Sequence, residues 1–534
     1  MPDSRICSAA LTTAEVGAGS QATGSIGLGR KVARLLRPVS LVAAATALFW
    51  PGLALGPALD AAVFILAGSR IRDGYLPYLD LWDHKPPGAY LLNAFGQAVF
   101  PWMDSWVVCW LLTLAFTSAS VLLMDRLLRR RLSALGSWVG SLVFCVGVAC
   151  YPIALGGGYT ESFALLPLVF ALWVMAALPR DGRTATVIGL ALSCACLISL
   201  QCVPAAMVLA AAAVWTESRG FVAGRRAAAL VAGALPLPLA VSAWLVVGGA
   251  GGDAVDQILA YNAAYRDPAS QLLAQLPLVG WLCGGLAILI AVAVMRLLHR
   301  PRAYDRVDWA CLTWCLSYAA YIVFEGRFFL HYLILIMPPV VLLAGRGLHG
   351  LLRQMERPKY VLRRWLAVGV AIEVAVAFAL SAAEFLPLNG STQAVAASTR
   401  KVTVTTDAWI RGHTPASATL FVWGDNAALH LASDRKPYGR YVYQFPIVTP
   451  TYWSTGRTAA LLAAWSKSPP SVIIESPSDV PMFRPAVPLD DRVLDTLAPL
   501  RDFVAANYRL AATFGGSGDF GDIYVYVVHV APAP

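Results

Sequence analysis

Asp60, Asp73, Asp80, Asp83, His84 and Lys85 stand close together in a chain in which only 13% of residues are charged. Tyr75 and Tyr78 lie among them, and Pro86-Pro87-Gly88 closes the run. Acidic groups beside a bilayer are expensive to desolvate, so a cluster of them points to chemistry. Asp60 has the make-up of a general base. The Lys85 ammonium can pair with a phosphate as a point charge, and the prolines after it fix the backbone that carries it. The ordinary alternative is a helix cap at Asp60 and solvated loop charges elsewhere.

The elements that must position these groups are apolar. Around the polar run, Ala62, Phe64, Ile65, Leu66 and Ile71 recur at helical spacing, as do Tyr90, Leu91, Phe95 and Val99. The spacing predicts two helices lying in the interfacial plane within a first outside loop, 57–105. The whole chain has 534 residues, 58% of them apolar, and a mean hydropathy of +0.62. That composition excludes a fully soluble, disordered, collagenous or disulfide-framework protein. A bilayer core takes about 20 apolar residues per helix. Eleven stretches qualify: 38–56, 106–124, 132–153, 163–178, 185–200, 203–216, 227–248, 277–298, 309–324, 330–348 and 365–385.

Alternating the spans puts 23 Lys and Arg in segments read as inside and five in outside loops. The positive-inside rule then sets the N-terminus in the cytoplasm and residues 386–534 outside. It also accounts for the net charge of +10 without a nucleic-acid partner, for which no recognition motif is present. Residues 1–37 read as a disordered cytoplasmic tail and 38–385 as the membrane domain. In the C-terminal part, Leu420–Trp423, Val472–Glu475 and Ile523–Val530 are strand candidates, and 394–411, 457–467 and 493–507 have helical spacing. A small α/β domain follows. None of the ten cysteines lies beyond Cys315, and no CxxC pair occurs.

The run Asp73–Gly88, with its YLPYLDLWDHKPPG, preceded by an Asp after the first span, resembles the GT-C membrane glycosyltransferases. The branch is that of the protein O-mannosyltransferases and aminoarabinose (lipid A) transferases. Gly156–Pro167 (GGGYTESFALLP) and Arg327–Pro339 (RFFLHYLILIMPP) resemble two later segments of that family, so the likeness covers roughly 38–350; Phe421–Gly424 also occurs in bacterial relatives. It implies a polytopic α-helical GT-C membrane protein of about eleven transmembrane helices with a C-terminal α/β extracytoplasmic domain.

By the same resemblance, Asp60 matches the aspartate that activates the acceptor, and Lys85, Arg327 and His331 match donor-phosphate contacts. Asp80, Asp83, His84 and Glu161 would orient the acceptor or a cation. Many relatives carry Asp-Glu where this chain has Asp60-Ala61. A divalent cation is therefore admitted rather than required, and no organic cofactor is implied. Plainer roles exist for two of these groups: a first-turn carboxylate for Glu161 and an interfacial histidine for His331. Tyr265 with Arg266 could line a phosphate or sugar pocket, but bilayer-interface anchoring is the preferred reading.

Every candidate group falls outside, where nucleotide sugars do not reach. The expected donor is a polyprenyl-phosphate sugar embedded in the bilayer, and the expected acceptor an extracytoplasmic lipid, polysaccharide or protein hydroxyl. The rival reading is a transporter or flippase for a lipid-linked glycan, which should carry ionisable groups at mid-span. Spans 38–56, 106–124 and 132–153 carry no Asp, Glu, Lys or Arg; Glu373 is the main exception elsewhere. A receptor whose outer domain binds a partner would leave the cluster around Lys85 unexplained.

Overall fold

The computed structural model describes residues 19–215, 220–265, 304–355, 390–449, 451–477, 480–483, 491–515 and 522–528, with single positions at 291, 294, 297 and 302. Cys7, Arg266, Cys283, Glu373, nearly all of span 277–298 and span 365–385 lie outside the described residues.

The other nine predicted spans coincide with helices. In chain order these and their connections are α1 (Gly19–Leu55), α2 (Leu59–Arg72), α3 (Gly88–Val99), α4 (Ser105–Arg131), α5 (Ala134–Ala149), α6 (Tyr151–Ala154), α7 (Thr160–Ala177), α8 (Gly182–Ile198), α9 (Val203–Val214), α10 (Phe221–Ala234), α11 (Pro236–Val247), α12 (Gly251–Val255), α13 (Asn262–Ala264), α14 (Arg306–Glu325) and α15 (Leu333–Met355). Among the described residues, six helical stretches are long and apolar enough to cross a membrane. α1 starts at Gly19, inside the segment expected to be a disordered tail. A long helix, once nucleated by its apolar stretch, extends into flanking residues cheaply.

Sequence signals set the helix ends. Asp104 caps α4, accepting hydrogen bonds from the backbone of Trp106 (2.9 Å) and Val107 (3.2 Å). Asp305 and Asp308 form a reciprocal capping box on α14. The far ends of α4, α14 and α15 are tied by ions: Arg131 to Asp305 (2.7 Å) and Asp308 (3.3 Å), and Arg346 to Asp308 (3.3 Å). Arg37 and Arg129 both bind Asp125. These ties involve segments read as inside, a helix length of about 40 Å from the 57–105 loop. The stretch Phe221–Val247 contrasts with the rest, having only 11% of its apolar window buried. It meets α8 backbone to backbone, where a Cβ on Gly233 would lie 2.0 Å from the Thr186 carbonyl oxygen.

The C-terminal region is built from α16 (Gly390–His413), β1 (Thr419–Trp423), α17 (Ala428–Ala432), β2 (Lys436–Pro437), α18 (Phe445–Val448), α19 (Thr455–Lys467), β3 (Val472–Glu475), α20 (Asp491–Asn507), β4 (Tyr508–Phe514) and β5 (Ile523–Val528). The sheet order is β2-β1-β3-β5-β4. β1 runs parallel to β2 and β3, while β5 is antiparallel to β3 and β4. Alternation in β1 sends Phe421 and Trp423 to one apolar layer with Trp465, and Leu420 and Val422 to the other with Ile410.

One expectation fails here. α2 does not keep one face open to lipid, because Ala61–Gly68 are all buried. Its sequence is apolar all round, which calls for cover on every side. α3 and α17 provide that cover, and Gly68 packs against Asn93 so closely that a Cβ there would lie 2.7 Å away. α3 does keep an exposed apolar edge at Phe95 and Val99.

Candidate active site

The segment between α2 and α3 is held from within. Asp80 closes its own turn by accepting a hydrogen bond from the Leu76 backbone at 2.7 Å. It therefore serves the loop's shape and does not join the charged centre. The Tyr78 hydroxyl donates to the Lys85 carbonyl at 2.8 Å, and the Tyr90 hydroxyl reaches the same carbonyl at 3.0 Å. Asp83 is buried with both oxygens occupied, by Tyr90 Oη at 2.5 Å and by Tyr443 Oη at 2.7 Å. Burial pushes the Asp83 carboxyl above its usual range, against the pull of these two phenols and of Lys85. Gln257 straddles the loop, donating to the Tyr78 carbonyl (2.7 Å) and accepting from the Asp83 backbone (3.2 Å).

This scaffold presents Lys85. Burial alone would depress its ammonium. The negative charges of Glu161, Asp60, Asp83 and Glu325 outweigh that and raise its pKa, so the cation is kept. Next to it, burial together with the positive charges of Lys85 and Arg327 pushes His84 well below the ordinary histidine value. The imidazole is neutral and rests among Trp82, Tyr261 and Tyr265. Arg327 enters from the loop after α14, stacking 3.8 Å over the Tyr265 ring and donating to the Tyr265 carbonyl at 2.9 Å. Tyr265, read as an interfacial anchor in preference to a pocket residue, forms a platform for this guanidinium. His331 stacks on Tyr159 at 4.2 Å and puts Nε2 4.0 Å from Glu161, which also lies 3.4 Å from Ser199 Oγ.

Asp60 sits in the first turn of α2, and its charge acts on Lys85, His331, Tyr265 and Tyr443. The turn before Glu161 brings it into this company. Gly158 has φ +88° and donates its N–H to Thr113 Oγ1 at 3.0 Å. A Cβ on Gly158 would lie 2.5 Å from that of Ala61. The same closeness explains why no second carboxylate stands next to Asp60. Ala61 is fully buried against the glycine turn, where a longer side chain has no room. Among the described residues no three His, Cys, Asp or Glu side chains converge as metal ligands. The residues at 60 and 61 thus do not form a carboxylate pair.

The described fold as a whole superposes on ArnT from Cupriavidus metallidurans bound to undecaprenyl phosphate, with a TM-score of 0.56 at 14% identity over 93% of this chain and 99% of that one. The chain has a GT-C fold. The apo form of the same ArnT gives a TM-score of 0.56 over 93% of this chain and 98% of that one, again at 14% identity. The arabinofuranosyltransferase AftD from Mycobacteria matches with a TM-score of 0.50 at 15% identity, covering 92% of this chain and 41% of AftD. No protein-family model and no curated protein matches the chain by sequence. The chain is a multi-pass membrane protein.

On this GT-C fold, the candidates Asp60, Asp83, His84, Lys85, Glu161, Arg327 and His331 come together, and Asp80 stays apart. Three contributors escaped the sequence reading. Glu325, two residues before Arg327, adds a negative charge to the centre. It was findable, because an acid at the end of an apolar span meets the same criterion as Asp60. Gln257 and Tyr443 gave no signal, since their partners lie 174 and 360 residues away in sequence.

Proposed function

We propose that the protein is an inverting glycosyltransferase that moves a sugar from a polyprenyl-phosphate donor to an extracytoplasmic hydroxyl. The observation that carries this reading is the reach of Asp60 and Glu161 to Lys85, with Arg327 near enough to act on the neighbouring His84. A carboxylate close to an ammonium and a guanidinium suits base catalysis against a phosphate leaving group. The Asp60 carboxylate takes the acceptor hydroxyl proton while the oxygen attacks the anomeric carbon. The bond from that carbon to the phosphate oxygen breaks on the opposite face. The leaving polyprenyl phosphate gains charge, which Lys85 and Arg327 neutralise. Glu161, next to Lys85 and His331, orients the acceptor.

Support for a lipid donor comes from the fold and from the ArnT likeness, that protein being bound to undecaprenyl phosphate. Support for an extracytoplasmic site comes from the excess of Lys and Arg in the opposite segments. A divalent cation is left out of the steps, because Ala61 replaces the carboxylate that would hold it with Asp60.

The test uses proteoliposomes supplied with a labelled polyprenyl-phosphate sugar and an envelope fraction as acceptor source. Asp60→Asn is expected to lower transfer by about 10²–10⁴-fold while still binding the donor. Lys85→Met is expected to weaken the donor as well. Undiminished transfer by Asp60→Asn removes it as the base, and translocation of labelled lipid without transfer replaces the enzyme reading with a flippase.

A further inference from the structure

A groove of about 620 Å³ opens between α12 and α19. Its polar wall holds Asp253, Asp256, Arg440 and Arg457, with Tyr441 beside them; Ala460, Leu461 and Ala464 make an apolar floor. Arg440 pairs with Asp253 at 2.6 Å and Arg457 with Asp256 at 3.2 Å. All four side chains remain about one-third exposed, so a ligand can reach them.

The chemistry of this wall is specific in what it refuses. Two guanidinium groups matched by two carboxylates leave no net charge. A phosphate or uronate would have to displace a carboxylate from each arginine, and a cationic ligand would face the converse. What remains attractive is a neutral ligand rich in adjacent donors and acceptors. Carboxylate oxygens accept from hydroxyls and guanidinium N–H groups donate to them, side by side. The alanine and leucine floor and the Tyr441 ring suit the C–H face of a sugar.

The groove is wired to the loop. Arg440 accepts a hydrogen bond through its carbonyl from the Trp82 backbone at 2.8 Å, and its side chain reaches the Tyr78 carbonyl at 3.4 Å. Tyr452 Oη accepts from Trp82 Nε1 at 3.1 Å and donates to Asp256 Oδ2 at 2.5 Å, while Arg457 lies 3.9 Å over its ring. Trp82 is three residues from Lys85. The groove is therefore tied through Trp82 and Tyr78 to the loop that carries Lys85, and none of the proposed transfer residues lines it.

We propose that this groove binds a neutral saccharide, the stretch of acceptor glycan beyond the hydroxyl that is glycosylated. The proposal rests on the glycosyltransferase reading above and names its acceptor class. It favours a polysaccharide or glycolipid glycan over a phosphorylated lipid headgroup or a polypeptide.

The test is direct binding of the full-length protein, in lipid nanodiscs, to a printed array of neutral glycans, phosphorylated, sulfated and uronate-bearing glycans, and unstructured peptides. Neutral glycans are expected to bind. Ala460→Trp and Ala464→Trp, both at exposed helix positions that tolerate bulk, should each weaken that signal by about ten-fold or more. Lys85→Met, defective in transfer, should keep it. A signal confined to anionic glycans or to peptides, a blank array, or tryptophan variants that bind like the parent would each overturn the proposal. Neutral-glycan binding that the groove variants abolish, in a protein that transfers no sugar, would sustain the groove and remove the transferase reading. Lys85-dependent transfer with a blank array would do the reverse.

Discussion

Asp83 shows how a residue next to the proposed catalytic centre can act through its hydrogen bonds alone. Its carboxylate is enclosed, and the phenols of Tyr90 and Tyr443 take its two oxygens. The ammonium of Lys85, two positions on, depends on that fixed backbone. Tyr443→Phe removes one of the two donors to Asp83 Oδ1 and leaves the His84 N–H at 2.8 Å, a loss of about 1–3 kcal/mol. The expected outcome is a lower midpoint in thermal unfolding and slower transfer through a mobile Lys85, with Asp60 untouched. Equal stability and rate for Tyr443→Phe would show that the loop holds itself. At this scale the sequence was informative where chemistry is compact. Asp60, His84 and Lys85 announced themselves by type and spacing, whereas Tyr443 looked like any of 19 tyrosines. A contact between residues 83 and 443 leaves no trace in local pattern.

At the scale of elements, the turn at Gly156-Gly157-Gly158 is what lets α7 deliver Glu161 beside α2. All three glycines have positive φ, and Gly158 touches Ala61. Gly158→Val both strains the backbone and drives a side chain into Ala61, an overpacking effect of about 1–3 kcal/mol. The expected result is a shifted α2 start, hence a lower turnover with donor affinity less affected. Kinetics that separate the two would read this, and an unchanged turnover would mean that Asp60 needs no such support. The helices and three of the strands were legible because apolar periodicity and β-branched runs encode them directly. β4 was not, since YRLAATF is an edge strand with a bulge between Leu510 and Ala512 and carries little β-branched character. The cover over α2 was misread because amphipathic spacing was sought in a segment that is apolar on every face.

For the whole molecule, the ion ties of Arg37, Arg131 and Arg346 at one end of the bundle and the polar loop at the other make the two ends chemically unlike. The orientation they imply is open to labelling. In a variant with Cys7 replaced by Ser, Ala506→Cys on the exposed face of α20 should react with a membrane-impermeant maleimide in intact cells. Reaction only after permeabilisation would invert the topology and, with it, the argument for a lipid-borne donor. The stretch Phe221–Val247 has a further consequence. So little of it is buried against the rest of the chain that a bilayer would set acyl chains around most of it. Stripping annular lipid would loosen that span ahead of the other five long ones, and a short-chain detergent is the medium in which a purified sample should first come apart.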